Sequence, residues 1–133
     1  MFCSSIKSGM NNPDPYVYKC ILDRILDADT LDCDIDLGFL VWLKKQRIRF
    51  RGIDTPEIRT RSKKEKALGL AAKARVTELI GKTFFLRTFA SREKYGRILG
   101  EPLTEDGENI CEILVREGHA REYWGRGAKK SWA

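Results

Sequence analysis

A chain of 133 residues, 42% hydrophobic and 33% charged, is long enough for one buried core and short for two. No stretch approaches the roughly 20 apolar residues that a bilayer-crossing helix needs, and no membrane partner is expected. The 25 Lys plus Arg against 19 Asp plus Glu, a formal charge of +6, favour a polyanionic partner, because phosphate contacts release counterions and the field speeds encounter.

The first nine residues lack the apolar core of a secretory signal. Residues 1–15 end in Asn11-Asn12-Pro13-Asp14-Pro15 and read as a loose leader. From Tyr16 to Leu26 the alternation of Tyr18, Cys20 and Leu22 predicts a strand, with Ile25 and Leu26 marking a bulge or a change of face. Asp27-Ala28-Asp29 is a tight turn. Thr30 to Leu37 alternates strictly, Leu31, Cys33, Ile35 and Leu37 on one face and Asp32, Asp34 and Asp36 on the other. After Gly38, Val41 to Phe50 forms a third strand, with Ile48 and Phe50 opposed to Arg47, Arg49 and Arg51. Pro56 then blocks further pairing.

A helix is expected from about Lys64, its apolar stripe made of Leu68, Ala71, Ala72, Val76, Leu79 and Ile80, with Gly81 as its stop. Thr83 to Thr88 and Arg97 to about Leu103 read as strands four and five. Asn109 caps a second helix carrying Ile110, Ile113 and Leu114, which Gly118 ends. Residues 126–133 form a basic tail, and Tyr123, Trp124 or Trp132 are expected to fold back onto the body. Three linked strands, a helix, two strands and a helix define an all-β core with helices, in which five short strands close into a barrel.

Cys3, Cys20, Cys33 and Cys111 lack the C-x-x-C spacing of a zinc or redox site. Cys20, Cys33 and Cys111, each among apolar residues, read as buried thiols of a reducing, cytoplasmic compartment, with a Cys20–Cys33 disulfide as the alternative.

The chemistry-bearing residues gather at strand ends. Asp29 follows the first turn and Asp54 ends the third strand. If those ends are neighbours, two carboxylates converge, and they repel unless a proton or cation lies between them. Oxygen ligands without nearby His or Cys suit a hard ion, Ca2+ or Mg2+. Glu57, just past Pro56, is positioned to deprotonate a water. Arg49 and Arg97 offer planar guanidiniums to the oxygens of a phosphoryl transition state. Each has a plainer alternative: acids that cap turns, a solvated loop acid, and surface arginines in weak ion pairs. A paired-carboxylate glycosidase can be written with Asp29, Asp54 and Glu57, although facing arginines would serve it little. His119, following a helix-ending glycine, reads as a terminal or surface histidine and not as a base.

Three ordered motifs, Leu26-Asp27-Ala28-Asp29-Thr30, Arg49-Phe50-Arg51-Gly52-Ile53-Asp54-Thr55-Pro56-Glu57 and Glu93-Lys94-Tyr95-Gly96-Arg97, together with Leu114-Val115-Arg116-Glu117-Gly118-His119-Ala120, resemble the thermonuclease (staphylococcal nuclease-like) family. The resemblance covers about residues 18–125 and implies a catalytic domain over 16–125, built as a five-stranded OB-type barrel packed with two to three helices. It implies Ca2+ bound by Asp29 and Asp54 with the Thr55 carbonyl, Glu57 as general base, and Arg49 and Arg97 on the phosphate. Lys94 and Tyr95 match residues beside the nucleotide. The implied chemistry is Ca2+-dependent cleavage of the 5′ P–O bond of DNA or RNA, in single-stranded or unpaired regions, leaving 3′-phosphate ends, by a monomer. Ala28 replaces the usual turn glycine, and Glu93 stands where the best-known member has aspartate. A barrel that binds nucleic acid or protein without cutting is the alternative, and unpaired acids beside phosphate disfavour it.

Overall fold

The computed structural model describes residues 16–92, 96–125 and 132. The leader over residues 1–15 and most of the basic tail lie outside the described residues. Five strands close a barrel in the order β1, β2, β3, β6, β5: β1 Val17–Asp27, β2 Thr30–Asp36, β3 Trp42–Phe50, β5 Thr83–Arg92 and β6 Ile98–Leu103. Neighbours are antiparallel except β3 and β6, which run parallel with Arg49 opposite Leu99. This is the OB-type barrel that the motif resemblance implies, and closure leaves no unpaired edge to cap.

The barrel closes because β1 serves two partners. Val17 to Ile21 pair with β5, and Cys20 to Asp27 pair with β2, with register shifts between Leu22 and Arg24 and between Ile25 and Asp27. Extra residues at these points bend and twist the strand, the irregularity that Ile25 and Leu26 foreshadow in the sequence. Phe50, Leu31, Ile48, Leu86, Cys20 and Cys33 fill the interior from the strands, and Val76, Ile110 and Leu114 reach it from two helices.

Among the described residues the helices number two, α1 Lys63–Leu79 and α2 Ile110–Arg116. Ser62 caps α1 by accepting from the Glu65 N–H at 3.2 Å, and Asn109 caps α2 by accepting from Cys111 at 2.8 Å, each satisfying a donor the helix start leaves open. Gly118 ends α2 at φ 81°, with its N–H bonded to the Val115 carbonyl and that of His119 to the Leu114 carbonyl, the paired closure a left-handed glycine permits.

The sequence stripe on α1 needs correction. Leu68 and Ala71 are exposed, and the buried helix positions are Gly69, Ala72 and Val76. The inward line is rotated because the helix packs through a glycine against backbone, where a leucine would not fit. The helix also ends differently: Ile80, extended at φ −97°, terminates it, and Gly81 is not left-handed. Leu37, expected inside, is 37% exposed, since β2 stops at Asp36 and the chain turns through Gly38, Phe39 and Leu40, all at positive φ. Strand four runs to Arg92, past the expected Thr88. A short pair unseen in the sequence, β4 Ile53–Asp54 with β7 Arg121–Glu122, ties the segment after β3 to the segment after α2.

Cys20, Cys33 and Cys111 are free and buried. The hydrogen bond that the Cys33 thiol makes to Cys20, with burial added, pushes that thiol far up, and burial does the same to Cys111. Thiols held protonated are poor nucleophiles, which fits packing and not redox chemistry.

Asp32 is an electrostatic strut on the β1–β2–β3 surface. Its carboxylate accepts from Arg24 Nε at 2.9 Å and from Arg47 Nε and Nη2 at 2.9 and 3.1 Å. The Arg47 bond lowers its pKa most, burial opposes this, and Arg24 lowers it further. A folded pKa held below the unfolded one contributes stability that is present above the unfolded pKa of about 3.9 and is lost as pH falls through the folded value. Asp32→Asn is therefore expected to lower the denaturant midpoint at neutral pH, the gap to wild type closing progressively below about pH 4. A gap unchanged down to acid pH would assign the loss to packing instead.

Candidate active site

The site forms where the β1–β2 turn, the end of β3 and the segment after it meet. Asp29 stands in the turn immediately before β2, and its backbone carbonyl accepts from the Phe50 N–H at 2.8 Å, locking the turn to the end of β3. Gly52, at φ 78°, reverses the chain out of β3 so that Ile53 and Asp54 return toward that turn. A side chain at Gly52 would lie 2.5 Å from the Trp124 ring, so the turn needs both the left-handed backbone and the empty space. The Thr55 N–H then donates to Asp29 Oδ2 at 3.2 Å.

The two expected acids are neighbours. Asp29 and Asp54 are 7% and 8% exposed, and the Arg49 guanidinium bridges them, Nη1 at 3.4 Å from Asp29 Oδ2 and Nη2 at 3.8 Å from Asp54 Oδ1. These are looser than the 2.7–2.9 Å of a close charge-assisted bond, and Arg49 Nη1 also donates to the Phe50 carbonyl at 3.0 Å. Asp29 Oδ1 accepts from the Thr30 hydroxyl at 2.9 Å.

One cavity of about 150 Å³ is lined by Asp27, Asp29, Thr30, Arg49, Asp54, Thr55, Glu57 and Arg97. All six expected catalytic and metal-site residues, Arg49, Glu57, Arg97, Asp29, Asp54 and Thr55, share it. The parallel β3–β6 register accounts for Arg97, which precedes Ile98, the partner of Ile48. Lys94 and Tyr95, like Glu93, lie outside the described residues.

Three contributors escaped the sequence reading. Asp27, read as a turn residue, ends β1 and lines the cavity; burial first, and the Asp29 charge second, raise its pKa. Its spacing of two from Asp29 is the signal that could have found it. Thr30 also lines the cavity. Trp132 donates from Nε1 to Asp54 Oδ2 at 3.4 Å, with the Arg121 guanidinium 3.9 Å from its ring centroid, so the expected return of a tail aromatic onto the body ends at the site itself. Trp124 stays 60% exposed, its ring facing Arg51.

The lining carries four carboxyl groups against two guanidiniums, an excess of negative charge that one divalent cation would balance. No group of three or more His, Cys, Asp or Glu side chains able to hold a metal occurs among the described residues, so a cation here would draw on two carboxylates, backbone carbonyl and water. That donor set fits a hard ion that keeps water ligands. The Thr55 hydroxyl supports the fit: it is buried and has no hydrogen-bond partner among the described residues, a polar group of the kind that usually has a water or ion beside it.

An OB-type barrel carrying an acid-and-arginine cavity where its strand ends converge is the class that fold and geometry define. The chain belongs to the staphylococcal nuclease homologue family, whose family model matches residues 47–131. It is 35% identical over 101 residues to an uncharacterized endonuclease of Escherichia coli, covering 75% of this chain and 58% of that protein. Over 103 residues it is 34% identical to endonuclease YncB of Bacillus subtilis (strain 168), covering 75% of this chain and 46% of the relative. Endonuclease YhcR of the same organism is 29% identical over 122 residues, which cover 80% of this chain and 9% of that larger protein. The chain thus spans about half the length, or much less, of these curated relatives.

Proposed function

We propose that this chain is a Ca2+-dependent endonuclease that hydrolyses the 5′ P–O bond of single-stranded or unpaired DNA or RNA, leaving 3′-phosphate ends, with its catalytic domain over residues 16–125. The observation that carries the reading is the single cavity shared by Asp29, Asp54, Arg49, Glu57 and Arg97. Family membership and three relatives named as endonucleases support phosphodiester cleavage as the reaction class.

Each residue has a role its chemistry suits. Asp29, Asp54 and the Thr55 carbonyl would hold Ca2+, which when bound supplies positive charge to neutralise the phosphate and lower the pKa of a coordinated water. Glu57 takes a proton from the attacking water. Arg49 and Arg97 grip non-bridging oxygens through paired N–H donors, strengthening as charge builds on them in the five-coordinate transition state. The 5′ oxygen leaves with its electron pair and is protonated, and the phosphate stays on the 3′ side. Lys94 and Tyr95 bind the nucleotide, and the exposed Arg59 and Arg61 between Glu57 and α1, with Lys63 and Lys64 at the start of α1, attract the strand.

Cleavage of single-stranded DNA and of RNA, followed in parallel with Ca2+, with Mg2+ and with chelator, tests this. Ca2+-dependent shortening with 3′-phosphate ends is the expected result. Tight binding of both polymers without scission at millimolar Ca2+ would replace the enzyme with a binding module.

A further inference from the structure

The segment that carries Glu57 is pinned on both sides of Pro56, a buried residue with no N–H of its own. On one side the Thr55 N–H donates to Asp29 Oδ2 at 3.2 Å. On the other, the Glu57 N–H donates to Glu65 Oε2, eight residues on, at 3.0 Å. Glu65 is the third residue of α1, where an acid commonly reaches back to the N–H of the capping residue. Here the Ser62 N–H donates to Thr60 Oγ1 at 3.3 Å instead, and the Glu65 carboxylate points across to the Glu57 backbone. The helix is seated beneath this bond through Gly69: a Cβ there would sit 2.8 Å from the Pro56 carbonyl oxygen and 3.0 Å from that of Glu57.

An extra carboxylate beside a cavity already rich in acids repels phosphate, so its presence needs an offsetting role. The α1 N-terminus reduces the electrostatic penalty, and a carboxylate makes a stronger bond to a backbone N–H than a neutral acceptor does. The basic segment from Ile58 to Lys64 is held at the site by this bond and by the Ile58 backbone hydrogen bond to the Asp27 carboxylate.

We propose that Glu65 is a positioning residue for this site: its carboxylate, with α1 docked through Gly69, fixes the backbone of Glu57 and thereby aims the Glu57 side chain at the attacking water. This rests on the reading of Glu57 as general base. Because the contact is to a backbone N–H, the role requires an acceptor oxygen at residue 65 and not a negative charge, which separates positioning from simple stabilisation of the helix start.

The test uses the full chain with Glu65→Ala, Glu65→Gln and Glu57→Gln, read by steady-state cleavage of single-stranded DNA and by hydrogen exchange of the Glu57 amide. Loss of aim by a fraction of an ångström is expected to lower kcat about tenfold in E65A, with KM within about twofold and faster exchange at the Glu57 amide. Glutamine keeps an acceptor oxygen, so E65Q is expected to restore turnover to within about threefold of wild type despite the lost charge. Wild-type kcat in E65A, or E65Q as impaired as E65A, overturns the positioning role. E57Q separates the two levels: turnover lost in E57Q but intact in E65A overturns only the role of Glu65, whereas wild-type turnover in E57Q overturns the general-base reading and the proposal built on it.

Discussion

Arg49→Lys is expected to lower kcat on single-stranded DNA about 10²- to 10³-fold while leaving the circular dichroism spectrum unchanged. Arg49 is the group between Asp29 and Asp54, its side chain only 13% exposed, and it lines the same cavity as Arg97. Lysine preserves the positive charge that the two acids need, so the barrel has no new unpaired carboxylate to accommodate. What disappears is the planar fork that can engage two phosphoryl oxygens at once. Such an interaction matters most as charge develops on those oxygens, so the loss falls on kcat more than on KM. Expressed as a barrier, each factor of 10² is about 2.7 kcal/mol. Turnover within about threefold of wild type would remove Arg49 from the reaction and reduce it to a strut between acids.

Asp54→Asn is expected to abolish the response to Ca2+ and to change stability in opposite directions with and without the ion. In chelator, the substitution removes one of two like charges buried on either side of Arg49, and the variant should melt slightly above wild type. With Ca2+ in hundredfold excess over Kd, the wild type should gain about 2.7 kcal/mol from binding to the folded state alone, and the variant little of it. Differential scanning calorimetry at both conditions reads the crossing directly. If Ca2+ raises the two melting temperatures equally, the ion binds elsewhere.

The barrel was legible because its strands announce themselves locally. Cys20, Leu31, Cys33, Ile48 and Phe50 alternate with polar residues and all face the core, and the cap Asn109 and the stop Gly118 are short-range signals. The cavity was legible through motif order: Asp29, Arg49, Asp54 and Glu57 are fixed relative to one another by the turn, the strand end and Gly52. Features created by distant packing were not. Gly69 is inward because backbone carbonyls of Pro56 and Glu57 press against it, and nothing in helical periodicity distinguishes that from a tolerated glycine. The two-residue β4 and β7 strands are below the length at which alternation can be read. Trp132 reaches Asp54 across 78 residues of sequence. The partnership of Glu65 with Glu57 likewise depends on the path of the chain between them, which capping rules alone would have drawn back to Ser62.

Crystals grown with Ca2+ and examined by anomalous scattering give the most direct measurement of the central claim, a hard cation shared by Asp29 and Asp54. The expected result is one peak within about 2.3–2.6 Å of a carboxylate oxygen from each residue, beside the guanidinium of Arg49. Saturating Ca2+ with no peak in this cavity, or a peak bound by other residues, would contradict it.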